Sequence, residues 1–233
     1  SVLAGRGSLA LWSGDLPLAA RRTKEAMEMG QRIGNDFVIS MTKMTYGTTL
    51  VNMGRDREAY SHLVDSVELY DDQDQRWLKG TALVHLANVS LGLGHIEQAL
   101  QWLDTAKPLL NATGDIWTMA FGLNNYGEVA RVQGDYEQAE AYYRRTEALY
   151  QQADSKGDQA RLLTVLGYIA QYKGEFEEAR NLFMQSLDEF RKLGNNRGMA
   201  ESLAGLACLA AELGKHRWSL HLLSTAEARL EDL

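Results

Sequence analysis

A single cysteine, Cys208, and only two prolines, Pro17 and Pro108, occur among the 233 residues of this chain. The lone thiol has no internal partner, so no disulfide framework holds the fold and nothing points to an oxidising compartment. Two prolines beside 21 glycines argue against an all-β chain of short strands and for many helices joined by tight turns. Basic charge is in deficit as well. Lys and Arg number 24 against 31 Asp and Glu, a net charge of −7, and the cations are scattered in short pairs such as Arg21-Arg22 and Arg144-Arg145. Direct binding of nucleic acid needs a concentrated excess of cations, so that partner is excluded. No run approaches the roughly 20 apolar residues that cross a bilayer, and no basic-then-apolar leader stands at Ser1. A cytoplasmic protein without membrane contact is expected, and the missing initiator Met marks the chain as a fragment or processed product.

Motifs that carry chemistry are also absent. Gly92-Leu93-Gly94 falls in a turn between helices, with no Lys-Ser or Lys-Thr after it, so it is no phosphate-binding loop. The five histidines are spread along the chain, and His216 and His221 are not spaced i, i+4 as a helical pair of metal ligands would be. Acidic runs such as Asp71-Asp72-Gln73-Asp74 and Glu175-Phe176-Glu177-Glu178 lie at expected helix ends, where exposure keeps carboxylates from acid-base work. The chain therefore reads as no enzyme, with no cofactor and no metal.

What is present is a period. Gly14, Gly54, Gly94, Gly134, Gly174 and Gly214 lie 40 residues apart without a slip. Five residues later stand Ala19, Ala59, Ala99, Ala139, Ala179 and, as the one departure, Ser219; seven residues before the glycines stand Gly7, Gly47, Ala87, Gly127, Gly167 and Ala207. Three columns in register over six copies mark a solenoid.

Each copy reads as two antiparallel helices. Leu123, Tyr126, Gly127 and Ala130 recur as Leu163, Leu166, Gly167 and Ala170 on one face of the first helix. Tyr136, Ala139, Tyr143, Thr146 and Tyr150 recur as Phe176, Ala179, Phe183, Ser186 and Phe190 in the second, large and small side chains alternating as interdigitating helices require. Gly134 is placed to end one helix and Asp135 to cap the next, with Gln138 completing a capping box. Gly34-Asn35-Asp36, Gly114-Asp115 and Gly194-Asn195 form the turns between copies. Asp74 and Asp154 hold the glycine's place in the other two, and Gly157-Asp158 points to a turn displaced by three residues. Pro108, inside a second helix, predicts a kink or an early end there. Arg6 and Thr23 occupy apolar columns of the first copy, as in a terminal repeat with less to bury.

The columns of Gly127, Gly134 and Ala139 resemble the tetratricopeptide repeat (TPR), over the whole chain. The Trp and terminal Pro of the usual pattern are missing, and each unit is six residues longer than the 34-residue form, about 9 Å of extra helix. The resemblance implies an all-α, right-handed superhelical TPR-like solenoid of six helix-turn-helix repeats with about 12 antiparallel helices. Its repeats are 1–34, 35–74, 75–114, 115–154, 155–194 and 195–233, together a single domain over 1–233.

In such an array the first helices line a concave side whose free face can meet a ligand. That face carries Met41, Met44, Thr48 and Asn52, then Thr81, His85 and Asn88, then Phe121, Asn124, Glu128 and Arg131, and finally Arg161, Tyr168, Gln171 and Tyr172. Two readings stand. Asn88, Asn124, Glu128, Arg131, Arg161, Tyr168, Gln171 and Tyr172 form a groove for a peptide or a small polar molecule, or Glu128 and Arg131, three apart, merely pair with each other on the surface. The aromatic stripe Tyr136, Tyr142, Tyr143 and Tyr150 reads as core.

The last copy, with Ala207, Gly214, Leu222, Leu223 and Ala226-Glu227, resembles the closing repeats of C-terminal sensor arrays in bacterial STAND-type ATPases and LuxR-family transcriptional regulators such as the maltose-operon activator. That resemblance implies a non-catalytic sensor module for a protein, peptide or small-molecule inducer, in a longer regulator whose other domains contact nucleotide and DNA. The alternative is a freestanding TPR scaffold that assembles other proteins. By register the first helix begins about four residues before Ser1, and Leu233 falls inside the last helix. A bare apolar face at Leu222, Leu223 and Leu230 then needs more chain or end-to-end self-association to cover it.

Overall fold

The computed structural model describes residues 2–12, 14–70 and 75–231. Ser1, Leu233 and the acidic run Asp71-Asp72-Gln73-Asp74, with the turn expected at Asp74, lie outside the described residues. All regular elements among the described residues are helical. They pair as α1 (Val2–Trp12) with α2 (Leu16–Ile33), α3 (Asp36–Asn52) with α4 (Asp56–Leu69), and α5 (Arg76–Gly92) with α6 (Ile96–Thr113). After α7 (Ile116–Val132) and α8 (Tyr136–Gln152), the pairs resume with α9 (Lys156–Tyr172) and α10 (Phe176–Lys192), and with α11 (Asn196–Glu212) and α12 (His216–Glu231). The chain forms two compact units, Ser1–Val129 and Ala130–Leu233.

Backbone geometry at the turns follows the sequence columns. The six glycines of the 40-residue column, Gly14, Gly54, Gly94, Gly134, Gly174 and Gly214, have φ between 71° and 80°, the left-handed region that ends a helix without a Cβ clash. At Gly134 the next amide, of Asp135, reaches back to the Ala130 carbonyl at 2.9 Å, the six-to-one bond of a Schellman stop. Asp135 then caps α8 by accepting from the Gln138 amide at 3.0 Å. The capping box is not completed, because the Asp135 N–H is already spent on Ala130. Asn35 and Asn195 cap α3 and α11 in the same way, through Val38 and Gly198. Asp154 takes the glycine's role with φ 50°, a conformation that Asp tolerates better than most residues. The displaced turn expected at Gly157-Asp158 does not form: Gly157 lies inside α9, because Asp154 has already turned the chain.

In the unit Ser1–Val129, Ala19, Ala59 and Ala99 are fully buried, and Leu50, Ala59, Leu63, Leu86 and Val89 make one core cluster. Gly47 permits the close approach of α4: a Cβ there would stand 2.7 Å from Leu63 Cγ. Ser40 and Ser66 exchange hydroxyl-to-carbonyl bonds at 2.7 and 2.9 Å, so the small column between these helices is satisfied as well as tight. Thr23, expected to be spared burial, is fully buried; its hydroxyl donates to the Ala19 carbonyl at 2.7 Å, which removes the penalty of a polar group in an apolar column. Arg6 is exposed. The early end expected at Pro108 does not occur: α6 runs on to Thr113. The ring is on the exposed face, as is Asp104, whose carbonyl loses its N–H donor, while Leu103, Ala106 and Leu110 stay buried on the other side. Water can meet the freed carbonyl, and packing holds the helix through the loss.

In the unit Ala130–Leu233, Ala139, Tyr143, Thr146, Ala179, Phe183, Ser186 and Phe190 are fully buried. Ser186 donates to the Ala160 carbonyl at 2.6 Å and lies 2.7 Å from the Thr164 hydroxyl and 3.0 Å from that of Ser202, one hydroxyl joining three helices. Leu222 is not bare: it packs against Ala200, Leu203 and Ala226, being on the α11 side of α12. Leu223 and Leu230 are exposed, as are Trp218 and Leu220.

Candidate functional site

Two columns of the first helices never close. Met41, Thr81, Phe121, Arg161 and Glu201 stand 40 residues apart and all keep solvent access, and so do Thr48, Asn88, Glu128, Tyr168 and Cys208. The glycine and alanine columns keep small residues from copy to copy, whereas these two change from thioether to hydroxyl, aromatic, cation and carboxylate. Their chemistry is not set by the repeat, which makes them the accessible, variable surface of a scaffold.

Within Ser1–Val129 this face includes Thr81, His85, Asn88, Phe121, Asn124 and Glu128, all half-buried. The His85 and Phe121 rings meet at 5.2 Å between centroids, and burial pushes the imidazole down to about 4, so it is neutral at pH 7. Asn125, one residue from Asn124, is fully buried and donates to the Val84 carbonyl at 3.1 Å, tying α7 to α5 behind the face. Met44 belongs less to the open face than to the core, packing against the clusters of Leu50 and of Tyr70. Asn124 is in the column of Val84 and Thr164, which are buried, so it stands at the margin of the open face.

Within Ala130–Leu233, Arg131 is half-buried and Arg161 is exposed, paired locally with Asp158 at 3.3 Å. Such an i, i+3 pair at the surface contributes a few tenths of a kcal/mol and leaves the guanidinium able to turn to a ligand. Tyr168 sets its ring edge-on to Phe183 at 5.0 Å, and burial, then the neighbouring Cys208, Tyr172 and Glu201, hold its phenol above the ordinary value. It is therefore a hydroxyl donor throughout the physiological range. Gln171 donates to the Glu212 carboxylate at 2.6 Å, while its own carbonyl oxygen is buried without a hydrogen-bond partner among the described residues. Tyr172 is 54% exposed and stacks on Tyr136, ring centroids 5.2 Å apart and planes within 7°.

Of the residues expected to form a groove, Tyr168, Gln171 and Tyr172 thus share one surface of α9, joined by Glu201, Cys208 and Glu212 of α11. Sequence reasoning passed over these last three, although they continue the columns of Arg161, Tyr168 and Tyr172 by one more period. Among the described residues no group of three His, Cys, Asp or Glu could hold a metal ion, and no helix is long and apolar enough to cross a membrane.

The family profile of the tetratricopeptide repeat matches residues 118–192 and 158–232. Over residues 118–232 the chain is a tetratricopeptide-repeat array. Its glycine and alanine columns carry the same 40-residue unit back through the earlier hairpins. No curated protein matches the chain. Among solved structures, the TPR array is similar to a Rap protein complexed with competence and sporulation factor, at 13% identity and a TM-score of 0.79 over 99% of this chain and 75% of that one. NprR in complex with its cognate peptide NprX is similar at 13% identity and a TM-score of 0.77, with 97% and 65% covered. The STAND protein PH0952 from Pyrococcus horikoshii, which has a tetratricopeptide-repeat sensor, is similar at 14% identity and a TM-score of 0.76, over 95% of this chain and 33% of that chain. Identities this low carry the fold and nothing beyond it.

Proposed function

We propose that this TPR array is a non-catalytic binding module that senses a peptide in a bacterial signalling or transcriptional regulator. The six hairpins act as one repeat domain over residues 1–233, and the site is on the open columns of the first helices. The observation that carries this reading is the contrast between columns: the glycine and alanine columns keep small residues in every copy, while Met41 to Glu201 and Thr48 to Cys208 remain accessible and change chemistry. Asn88, Asn124 and Glu128 supply amide and carboxylate groups for a peptide backbone. Arg131 and Arg161 supply cations, and Tyr168, Gln171 and Tyr172 supply a stacking face with donors. The fold relatives support a peptide over other ligands, since NprR was solved with its cognate peptide, and the sensor reading draws on PH0952.

The test is selection from a displayed library of random peptides, followed by titration of the selected peptides. Alanine at Arg131, Arg161 or Tyr168 is expected to weaken binding about tenfold or more, as truncating an anchoring Arg or Tyr does at interfaces. Unchanged affinity in all three would remove the site from this face. Reading the gene upstream of Ser1 separates the regulator from the scaffold alternative: a nucleotide-binding domain with a helix-turn-helix module elsewhere in the protein supports the former.

A further inference from the structure

A third open column lies away from that face. Phe37, Trp77 and Trp117 are each the second residue of their helix, in α3, α5 and α7, and follow one another at 40-residue intervals. They are 42%, 46% and 51% exposed. The fold does not demand them, because the same position in the next two hairpins holds Gly157 and Arg197. Single exposed aromatics need no explanation, but three in one column of consecutive hairpins form a row.

The row is held in place. Trp77 donates its indole N–H to Asp115 Oδ2 at 2.9 Å, and the same carboxylate accepts from the Thr118 hydroxyl and from the backbone amides of Trp117 and Thr118. One rung is thereby tied to the cap of the helix that bears the next. Helix α3 contacts α5, and α5 and α7 touch through His85 and Phe121 and through Asn125 and Val84, so the axes of the helices that bear successive rungs are a packing distance apart, about 8–10 Å.

We infer that Phe37, Trp77 and Trp117 form a ladder that docks a proline-rich segment of a partner protein in the polyproline II conformation. That helix repeats every three residues with a rise of about 3.1 Å each, roughly 9 Å per turn, so one proline per turn meets each rung. Aromatic rows are the surfaces that recognise this conformation, whose rigidity keeps the ordering cost of binding low. The linking segments select the partner's charge. Among the described residues beside the rungs, Asp36 and Asp115 stand against Arg76, which favours lysine or arginine beside the prolines and disfavours phosphate-bearing ligands. The ladder is outside the two open columns of the first-helix face and does not depend on that reading.

The probe is an oligoproline peptide flanked by lysines, titrated into the full chain by calorimetry and by tryptophan fluorescence. Saturable binding is expected, weakened about tenfold by Trp77→Ala and by Trp117→Ala. Trp77→Phe, which keeps an aromatic face, should retain most of it and guards against a folding defect in the alanine variants. Trp218→Ala, off the ladder, should leave it unchanged. Absence of saturable binding overturns the proposal, as does equal binding of the peptide with every proline replaced by alanine. Undiminished affinity in the Trp77→Ala/Trp117→Ala double variant, or preference for a neutral β-linked glucan, overturns it too.

Discussion

Gly167→Ala should destabilise the protein even though alanine is the better helix former. A Cβ at Gly167 would stand 2.7, 2.8 and 3.1 Å from Cε1, Cδ1 and Cζ of Phe183, where ordinary contact begins at 3.4 Å. The ring cannot retreat, for it is fully buried and a Cβ at Gly205, on α11, would meet the same Cε1 at 2.4 Å. Overpacking of this kind costs about 1–3 kcal/mol, and the upper end applies to a clamped ring, while alanine returns about 1 kcal/mol of helix propensity. The net loss is about 1–2 kcal/mol. Phe183→Leu alone leaves a void and costs about 1–2 kcal/mol, but the two changes together recreate the Ala87 and Leu103 pair that already occupies these columns in one core cluster. The double variant should therefore be more stable than the sum of the singles by about 1 kcal/mol or more, a coupling that residues in contact show. Urea unfolding followed by far-UV circular dichroism reads it as a shift in midpoint at constant slope. If Gly167→Ala raises the midpoint, or the double variant is additive, the ring is not clamped and the packing argument fails.

Pro108→Ala should stabilise the protein by about 2 kcal/mol, the difference between roughly 3 kcal/mol of helix-interior penalty and the part returned through the unfolded chain; a lower urea midpoint would show that the ring is used in packing. His85 should make the protein acid-sensitive in a defined window. Its folded-state value of about 4 is below the ordinary 6.5, so the unfolded chain takes the proton first, and stability that is whole above pH 6.5 falls as the pH drops towards 4. Unfolding midpoints measured across that range should fall less steeply in His85→Gln, and an unchanged slope would place the acid sensitivity elsewhere.

Much of the fold was legible because its constraints are local and repeat. A left-handed turn takes Gly, a close helix contact takes Gly or Ala, and a helix start takes Asp or Asn, so six copies give each rule six chances to show. The failures came where a residue type permits two outcomes and a third dimension decides. Thr23 could be exposed, or buried with its hydroxyl satisfied by Ala19, and the latter holds. Pro108 could end α6 or ride its solvent face. Asp154 and Gly157 both offered a turn, and the first in the chain took it. Leu222 and Leu223 are neighbours in sequence, yet only one faces α11.

The candidate site was legible for a different reason, and only in part. Functional columns in a repeat protein are those where periodicity of burial persists while periodicity of chemistry stops, and detecting them requires knowing which columns are open. Tyr168, Gln171 and Tyr172 stood out as polar or aromatic groups on a helix face, but Glu201, Cys208 and Glu212 did not, since the last hairpin was read as an end. Trp77 and Trp117 are the sharper case. At the second position of a helix a residue is ordinarily discounted as part of the cap, and the capping carboxylate Asp115 does engage the Trp77 indole. The cap and the ladder are one arrangement. A hydrogen bond that helps start α7 also fixes the ring that α5 presents to solvent, so the stability of the repeat and the orientation of its exposed aromatics are set by the same atoms.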